Sequence, residues 1–321
     1  MPYGMRGFIG FAKESTYGTA AFAPGSCTNF LEGMSESVAV TIDRFESRNI
    51  TGNIYEPDDN AGIRRIEGEL AFAAHPVPLG AFLNSAFGTV VTSLIGGSLY
   101  RHTFTGATAD ASSVAPVPSY TLELNRDVTS SQLITGALVN ELSMQFTPNQ
   151  DVRVTANILG RVSSGSSAPS TATMPSSPTA PFTFDTASVS VGGVAVDIVE
   201  GLTISVNNNL EGIPTLNAST YIARARRTDF RQVRVSGTME LANISDYDRF
   251  LQQTEVAVSV HVTKASSFAL TLDLPRVVYT AFPMGMPGKE RLTVAFEGMA
   301  RYHTGSLSSI RAQLVNMTTA Y

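Results

Sequence analysis

The sequence predicts a mainly β protein built as two tandem units, each with one short α-helix and one long inter-strand loop. Three observations carry this. Apolar residues alternate with polar or small ones through most of the chain. Helical spacing is confined to two short places. The order of elements in the first half then returns in the second.

The alternation begins at Val38, Val40 and Ile42, the period of a strand with one face buried. It recurs at Ile66–Phe72, Leu142–Phe146 and Val152–Ile158. Further runs are Leu202–Val206, Val233–Leu241, Val256–Val262, Leu270–Leu274 and Leu292–Phe296. Thr147–Gln150 and Met286–Lys289 carry turn residues and read as hairpin connections.

The repeat is visible in order as well as type. Ile66–Phe72 lines up with Val235–Leu241, and a short helical patch follows each. The first patch is Pro76–Phe87, with Leu79, Phe82 and Leu83; the second is Ser245–Gln253, with Tyr247, Phe250 and Leu251. Ser245 is placed as an N-cap, with Asp246 and Asp248 in the favourable first turn. Each half closes with a hairpin whose last strand is Val152–Arg161 in one and Leu292–Arg301 in the other. Between them, Val162–Pro181 is nearly all Ser, Pro, Thr, Ala and Gly, a composition poor in packing side chains. The predicted division is residues 1–165, a linker at 166–181, and residues 182–321.

One long loop per half also corresponds: Ser47–Gly62 and Asn207–Thr228. Loops of this length in a compact domain usually act on something. Both hold apolar residues that a solvated loop does not need: Ile50, Ile54 and Tyr55 in the first, Ile213, Leu216, Tyr221 and Ile222 in the second. They are expected to pack on a neighbouring subunit; the alternative is that they fold back over their own unit. The basic cluster Arg224, Arg226, Arg227 and Arg231 is assigned to pairing with acidic groups across a subunit boundary.

Composition narrows the function. Charged residues make up 15% of the chain against 43% hydrophobic, below the roughly 25% charge of an average soluble domain, so much of the surface is expected to be covered by copies of itself. A net charge of −5 gives no basic footprint for nucleic-acid binding. Cys27 is the only cysteine, so neither an intrachain disulfide nor a cysteine metal cluster can form. No apolar run reaches the length of a membrane helix, and the absence of Trp speaks against the aromatic girdles of a membrane barrel. Residues 1–20 lack the pattern of a signal peptide, so the chain is expected to be made and kept in a cytoplasm until it assembles.

No catalytic, cofactor or metal residues are assigned, and the chain is not expected to be an enzyme. His75, His102, His261 and His303 are far apart. No nucleophile elbow, phosphate loop or dinucleotide fingerprint occurs. The stretch from Glu56 to Gly62 lacks the alternating ligands and closing Glu of a calcium loop.

Three segments resemble phage major tail tube proteins: Phe8–Ala20, Ser119–Glu123 with Ile134–Leu142, and Val206–Glu211 with Val235–Thr238. The resemblance implies two tail-tube-like β-sandwich or partial-barrel domains, each with a flanking helix. It further implies a structural virion protein that stacks as rings into the tail tube, with tape-measure, terminator and baseplate or tail-tip proteins as partners and DNA passing through the bore non-specifically. Two domains per chain favour three chains in a pseudo-sixfold ring over six chains; another tail component, such as a completion or decoration protein, is the alternative. Because cationic side chains facing DNA would hold its phosphates, the lumen candidates are acidic: Glu67, Glu69, Glu141, Glu240 and Glu297, with Glu123 and Asp151 also beside strands.

Overall fold

The computed structural model describes residues 2–46, 50, 52, 54–55, 58–166, 168–172, 180–265, 267–286, 288–289 and 291–321. The first half contains β1 (Phe8–Lys13), β2 (Phe30–Leu31), β3 (Gly33–Glu36), β4 (Ala39–Glu46) and β5 (Asp59–Ala73). After α1 (Leu79–Phe87) come β6 (Gly88–Gly96), β7 (Leu99–Gly106), β8 (Tyr120–Asn125), β9 (Ser131–Phe146), β10 (Arg153–Gly160) and β11 (Val162–Ser166). The second half contains β12 (Ala187–Val191), β13 (Val194–Val196), β14 (Val199–Asn207), β15 (Leu210–Ile213), β16 (Arg224–Arg227) and β17 (Gln232–Glu240). It ends with α2 (Ser245–Leu251), β18 (Val256–Lys264), β19 (Phe268–Ala281), β20 (Thr293–Ala300) and β21 (Arg311–Asn316). The fold is mainly β, and every run of alternating residues named above lies within or overlaps one of these strands.

The pairings repeat. In the first half β4 pairs β5, β5 pairs β10, β10 pairs β9, and β9 continues to pair β8 and β11 while β8 pairs β1. In the second half β14 pairs β17, β17 pairs β20, β20 pairs β19, and β19 continues to pair β18 and β21 while β18 pairs β12. β9 and β19 thus each serve two layers, and both change direction at a bulge. The extra residue is Asn140 in β9, opposite Asn157 and Ile158, and Thr280 in β19, opposite Gly298 and Glu297. Gly136, with φ of 67°, bends β9 further in a conformation that costs other residues more.

Two joints fuse the halves. Glu141–Phe146 of β9 pairs antiparallel with Leu202–Asn207 of β14, making one eight-stranded sheet in the order β4-β5-β10-β9-β14-β17-β20-β19. On the other layer the β6–β7 hairpin, which the second half lacks, pairs through β7 with β21. The principal core runs continuously from Leu70, Phe72 and Phe104 in the first half to Ile204, Val235 and Leu272 in the second.

Local chemistry explains several departures from the sequence pattern. Val162–Ser166, assigned by composition to the flexible stretch, is strand β11 on the edge of β9. Further along the predicted linker, Ser170 is buried and donates to Glu123 at 2.6 Å. Polar bonds there replace the missing apolar packing. Phe182 is fully buried, its backbone bonded to Ala74 and Val152 of the first half. Ser245 is the first residue of α2 rather than its cap; Asn243 Oδ1 accepts its N–H at 2.9 Å. The Thr147–Gln150 turn stands as read, with Asn149 at φ 60°. The Met286–Lys289 turn includes a residue outside the described ones.

Candidate assembly surface and lumen face

Alternation along the eight-stranded sheet sends apolar residues to the core and polar ones to the other face. Cross-strand register gathers that polar face into rows. One row runs Glu69, Asn157, Glu141, Asn207, Gln232; the next runs Ala71, Thr155, Ser143, Ser205, Arg234, Met299. A third runs Arg153, Gln145, Thr203, Ser236, Glu297. Glu67 and Glu240 share this face in β5 and β17. All five acidic candidates therefore lie on one surface, where Arg153 and Arg234 are the cations in the rows.

Glu123 and Asp151 do not belong there. Glu123 is fully buried, accepting from Ser131 Oγ at 2.7 Å and from the Ser170 backbone and hydroxyl at 2.9 and 2.6 Å. These bonds replace the water that a buried carboxylate loses. Glu14, not singled out in the sequence, is buried the same way. Its carboxylate accepts from Gly18 N, Ser119 Oγ, Thr121 Oγ1 and Gly136 N, pinning the N-terminal segment to β8 and β9. Asp151 sits at a β-bridge with Thr183.

The two long loops lie in opposite environments. Around the first, β4 is exposed on both faces, including Val40, Ile42 and Phe45. Beyond it, Ile50, Ile54 and Tyr55 are almost fully exposed, at 102%, 97% and 81%. The rest of that stretch falls partly outside the described residues.

The second loop instead forms the β15–β16 ribbon and lies over the first half of its own chain. Leu210, Ile222 and Ala225 are buried, and Leu210 and Ala225 join a second small core with Tyr17, Val117, Leu138 and Leu159. The Tyr221 hydroxyl donates to the Ser163 carbonyl at 2.9 Å, and Arg64 N–H donates to Thr220 O at 2.8 Å. Arg161 donates to the Tyr17 and Ile222 carbonyls and stacks its guanidinium over the Tyr17 ring at 5.3 Å. Burial behind that arginine pushes the Tyr17 hydroxyl pKa up to about 12.

Tyr221 and Ile222 are thus engaged within the chain, as in the alternative in which the loop folds back over its own chain. Ile213 is half-buried in the ribbon, and Leu216 alone of the four stands free, at 108% exposure.

The basic cluster divides likewise. Arg227 pairs with Asp110 at 3.3 Å and donates to Asn208 O at 2.7 Å; Arg231 donates to Asn208 Oδ1 at 2.8 Å. These acceptors are in the same chain, so both guanidiniums already have partners without a neighbouring subunit. Burial, then the charge of Arg227, pulls the Arg231 pKa down to about 10. Arg226 is half-buried and Arg224 exposed. Asn208, fully buried, also donates to Ala86 O and Val139 O, so one side chain ties α1, β9 and the second loop together. Its place in an Asn-rich run gave no sign of this role.

Among the described residues no group of His, Cys, Asp and Glu is arranged to hold a metal ion. The small apolar cavity beneath α1, lined by Phe11, Phe82 and Tyr120, has a volume of about 10 Å³, too small for an organic ligand. No described helix is long and apolar enough to cross a membrane.

The eight-stranded sheet thus has open edges at β4 and at Tyr279–Ala281 and carries one apolar and one polar face. The chain belongs to the phage tail tube protein family, whose model matches residues 4–298. It is accordingly a structural component of the phage tail and of the virion. No curated protein matches it.

Proposed function

We propose that three copies of the chain join edge to edge into a ring, and that rings stack into the tube through which the phage genome is delivered. On this reading the chain is a tandem duplication, with domains at residues 1–165 and 182–321 joined by 166–181. The observation that carries it is the eight-stranded sheet, which crosses from one half to the other with a single polar face. Each half supplies the same four strands in the same order. At one end of the sheet β4 pairs only with β5; at the other, Tyr279–Ala281 of β19 pairs only with β20. Unpaired edges recruit further strands, and a three-chain ring closes as a barrel of about 24 strands with a circumference near 115 Å before tilt.

The polar rows then face the bore. Five glutamates stand there with Arg153 and Arg234 in the rows, Arg65 already paired with Asp43, and Arg291 against Glu240; spaced by Ser, Thr and Asn, such a face holds phosphate weakly. Ile50, Ile54, Tyr55 and Leu216 project as contacts to the next ring, a heterologous contact that repeats without closing. The tape-measure, terminator and tail-tip proteins would meet the tube's bore and ends. Synthesis in the host cytoplasm precedes assembly.

Cryo-microscopy of tubes assembled from the full chain tests this directly. Three chains per stacked ring is the expected result. Six chains per ring, or isolated rings that never stack, as a completion or decoration protein would give, would overturn it. A second arm tests the bore: tubes of Glu141→Lys, Glu297→Lys protein should retain DNA at low salt and release it as salt rises, while wild-type tubes retain none.

A further inference from the structure

The closed junction inside the chain shows what the open one lacks. From Val139 to Arg161 and from Tyr279 to Arg301 the halves run in step without an insertion. The bulges at Asn140 and Thr280 coincide, and six residues separate Phe146 from Arg153 just as six separate Met286 from Thr293. In the first half, Leu142–Phe146 is strand, bonded on one side to β10 and on the other to β14. Its inward residues Leu142, Met144 and Phe146 are 0%, 0% and 7% exposed.

The counterpart, Phe282–Met286, has the same alternation in Phe282, Met284 and Met286 but lies outside any strand. Pairing between β19 and β20 stops at Ala281–Glu297, so Thr293–Phe296 of β20 bonds to β17 on one side and, among the described residues, to no strand on the other. Phe282 is already buried at 3%, whereas Met284 and Met286 are 42% and 81% exposed. On β4, Val40 lies opposite the buried Ile66, on the core side of the sheet, yet it is 36% exposed and Ile42 is 43% exposed. In β14, where β9 covers the equivalent edge, Leu202, Ile204 and Val206 are 3%, 0% and 1% exposed.

We infer that Phe282–Met286 is a latent strand that forms on assembly, zipping along β20 on one side and along β4 of the next copy on the other. This rests on the proposed ring. The occupant of the open edge is a second copy of this chain, because the same four-strand unit already closes this way on its own second half. Pro283 stands where the first half has Ser143 and withholds one ladder N–H. The segment therefore gains too little from β20 alone and orders only when a neighbour's edge is added. Met284 and Met286, being flexible and apolar, would fill the gap over Val40 and Ile42.

Hydrogen exchange on the wild-type chain, free and assembled, reads the transition directly. Amides of residues 284–286 should exchange freely in the unassembled chain and slow by at least about tenfold in the tube. Met284→Cys combined with Val40→Cys, or with Ile42→Cys to allow for register, should give disulfide-linked trimers from oxidised tubes, and Val194→Cys with Val40→Cys should give none. Cys27 is buried and leaves the background clean. Tubes that form while these amides stay unprotected and the first pairs stay unlinked would overturn the inference and leave the ring reading standing. If the chain forms no rings even with a tail initiator complex, the ring reading fails and this inference with it. Should the cysteine variants not fold, the wild-type exchange decides alone.

Discussion

The two long loops leave matching strands, yet Ile50 and Ile54 of one stand in solvent while the other is fastened down by Arg161, Arg227 and Asn208. The loops are not different in kind; both carry Ile and Tyr at spaced positions. What differs is whether another four-strand unit lies beside them. The second loop has the first half of its chain as neighbour, whereas Ile50 and Ile54 of the first are almost fully exposed. On the proposed assembly, an exposed apolar residue of the first loop marks a neighbour still to be joined rather than a defect of folding.

That comparison breaks most sharply at paired positions on the two junctions. Ile204→Asp places a charge without a partner at a fully buried site, and should cost more than about 4 kcal/mol, seen as loss of the cooperative denaturant transition. Val40→Asp, on the open edge, should keep stability within about 1 kcal/mol and abolish ring formation by sedimentation. Equal destabilisation by both would sink the distinction.

A smaller effect is expected from Arg161→Ala, which removes two hydrogen bonds and the stack on Tyr17. It should destabilise the chain by about 1–3 kcal/mol and raise proteolytic cutting in residues 214–220; unchanged cutting would mean the loop is held by the ribbon alone. Smaller again in stability is Ile50→Ser with Ile54→Ser, expected within about 0.5 kcal/mol in a melt while shortening tubes by electron microscopy. Tubes of normal length would remove the first loop from ring stacking.

The mildest test is a slope against pH. His102 bridges Thr92 and Asn316 at 2.9 and 3.0 Å where β7 meets β21. Burial holds its pKa below the ordinary value near 6.5. A depressed folded-state pKa contributes stability above the unfolded value, and that stability is lost as pH falls through 6.5 toward the folded value. Thermal midpoints should fall between pH 7 and pH 5 in the wild type and less steeply in His102→Asn. A parallel decline in both would assign the slope elsewhere.

Much of the fold was legible because period-2 alternation reports one buried face directly. Leu202, Ile204 and Val206 announced β14, and Ile66, Leu70 and Phe72 announced β5. Hidden were elements whose partners are remote. β11 is Ser- and Gly-rich and is a strand because β9 offers it an edge. The β6–β7 hairpin carries Val91 and Leu94 outward and is anchored by β21, more than 200 residues away. The acidic face was legible residue by residue for the same reason as the strands, since parity fixes the side. Glu123 escaped because its strand is buried on both faces, where parity no longer separates inside from outside. The fate of the loops could not be read, because their composition is alike and only the neighbour differs.

In the proposed ring, having both four-strand sets on one chain changes how assembly can nucleate. With β14 tethered to β9, three of the six junctions in a three-chain ring form at an effective concentration in the millimolar range, whatever the dilution. Only the other three depend on how much protein the cell has made. On that reading the threshold for assembly is set at one kind of seam, and substitutions there would tune when tubes begin without weakening half of the wall.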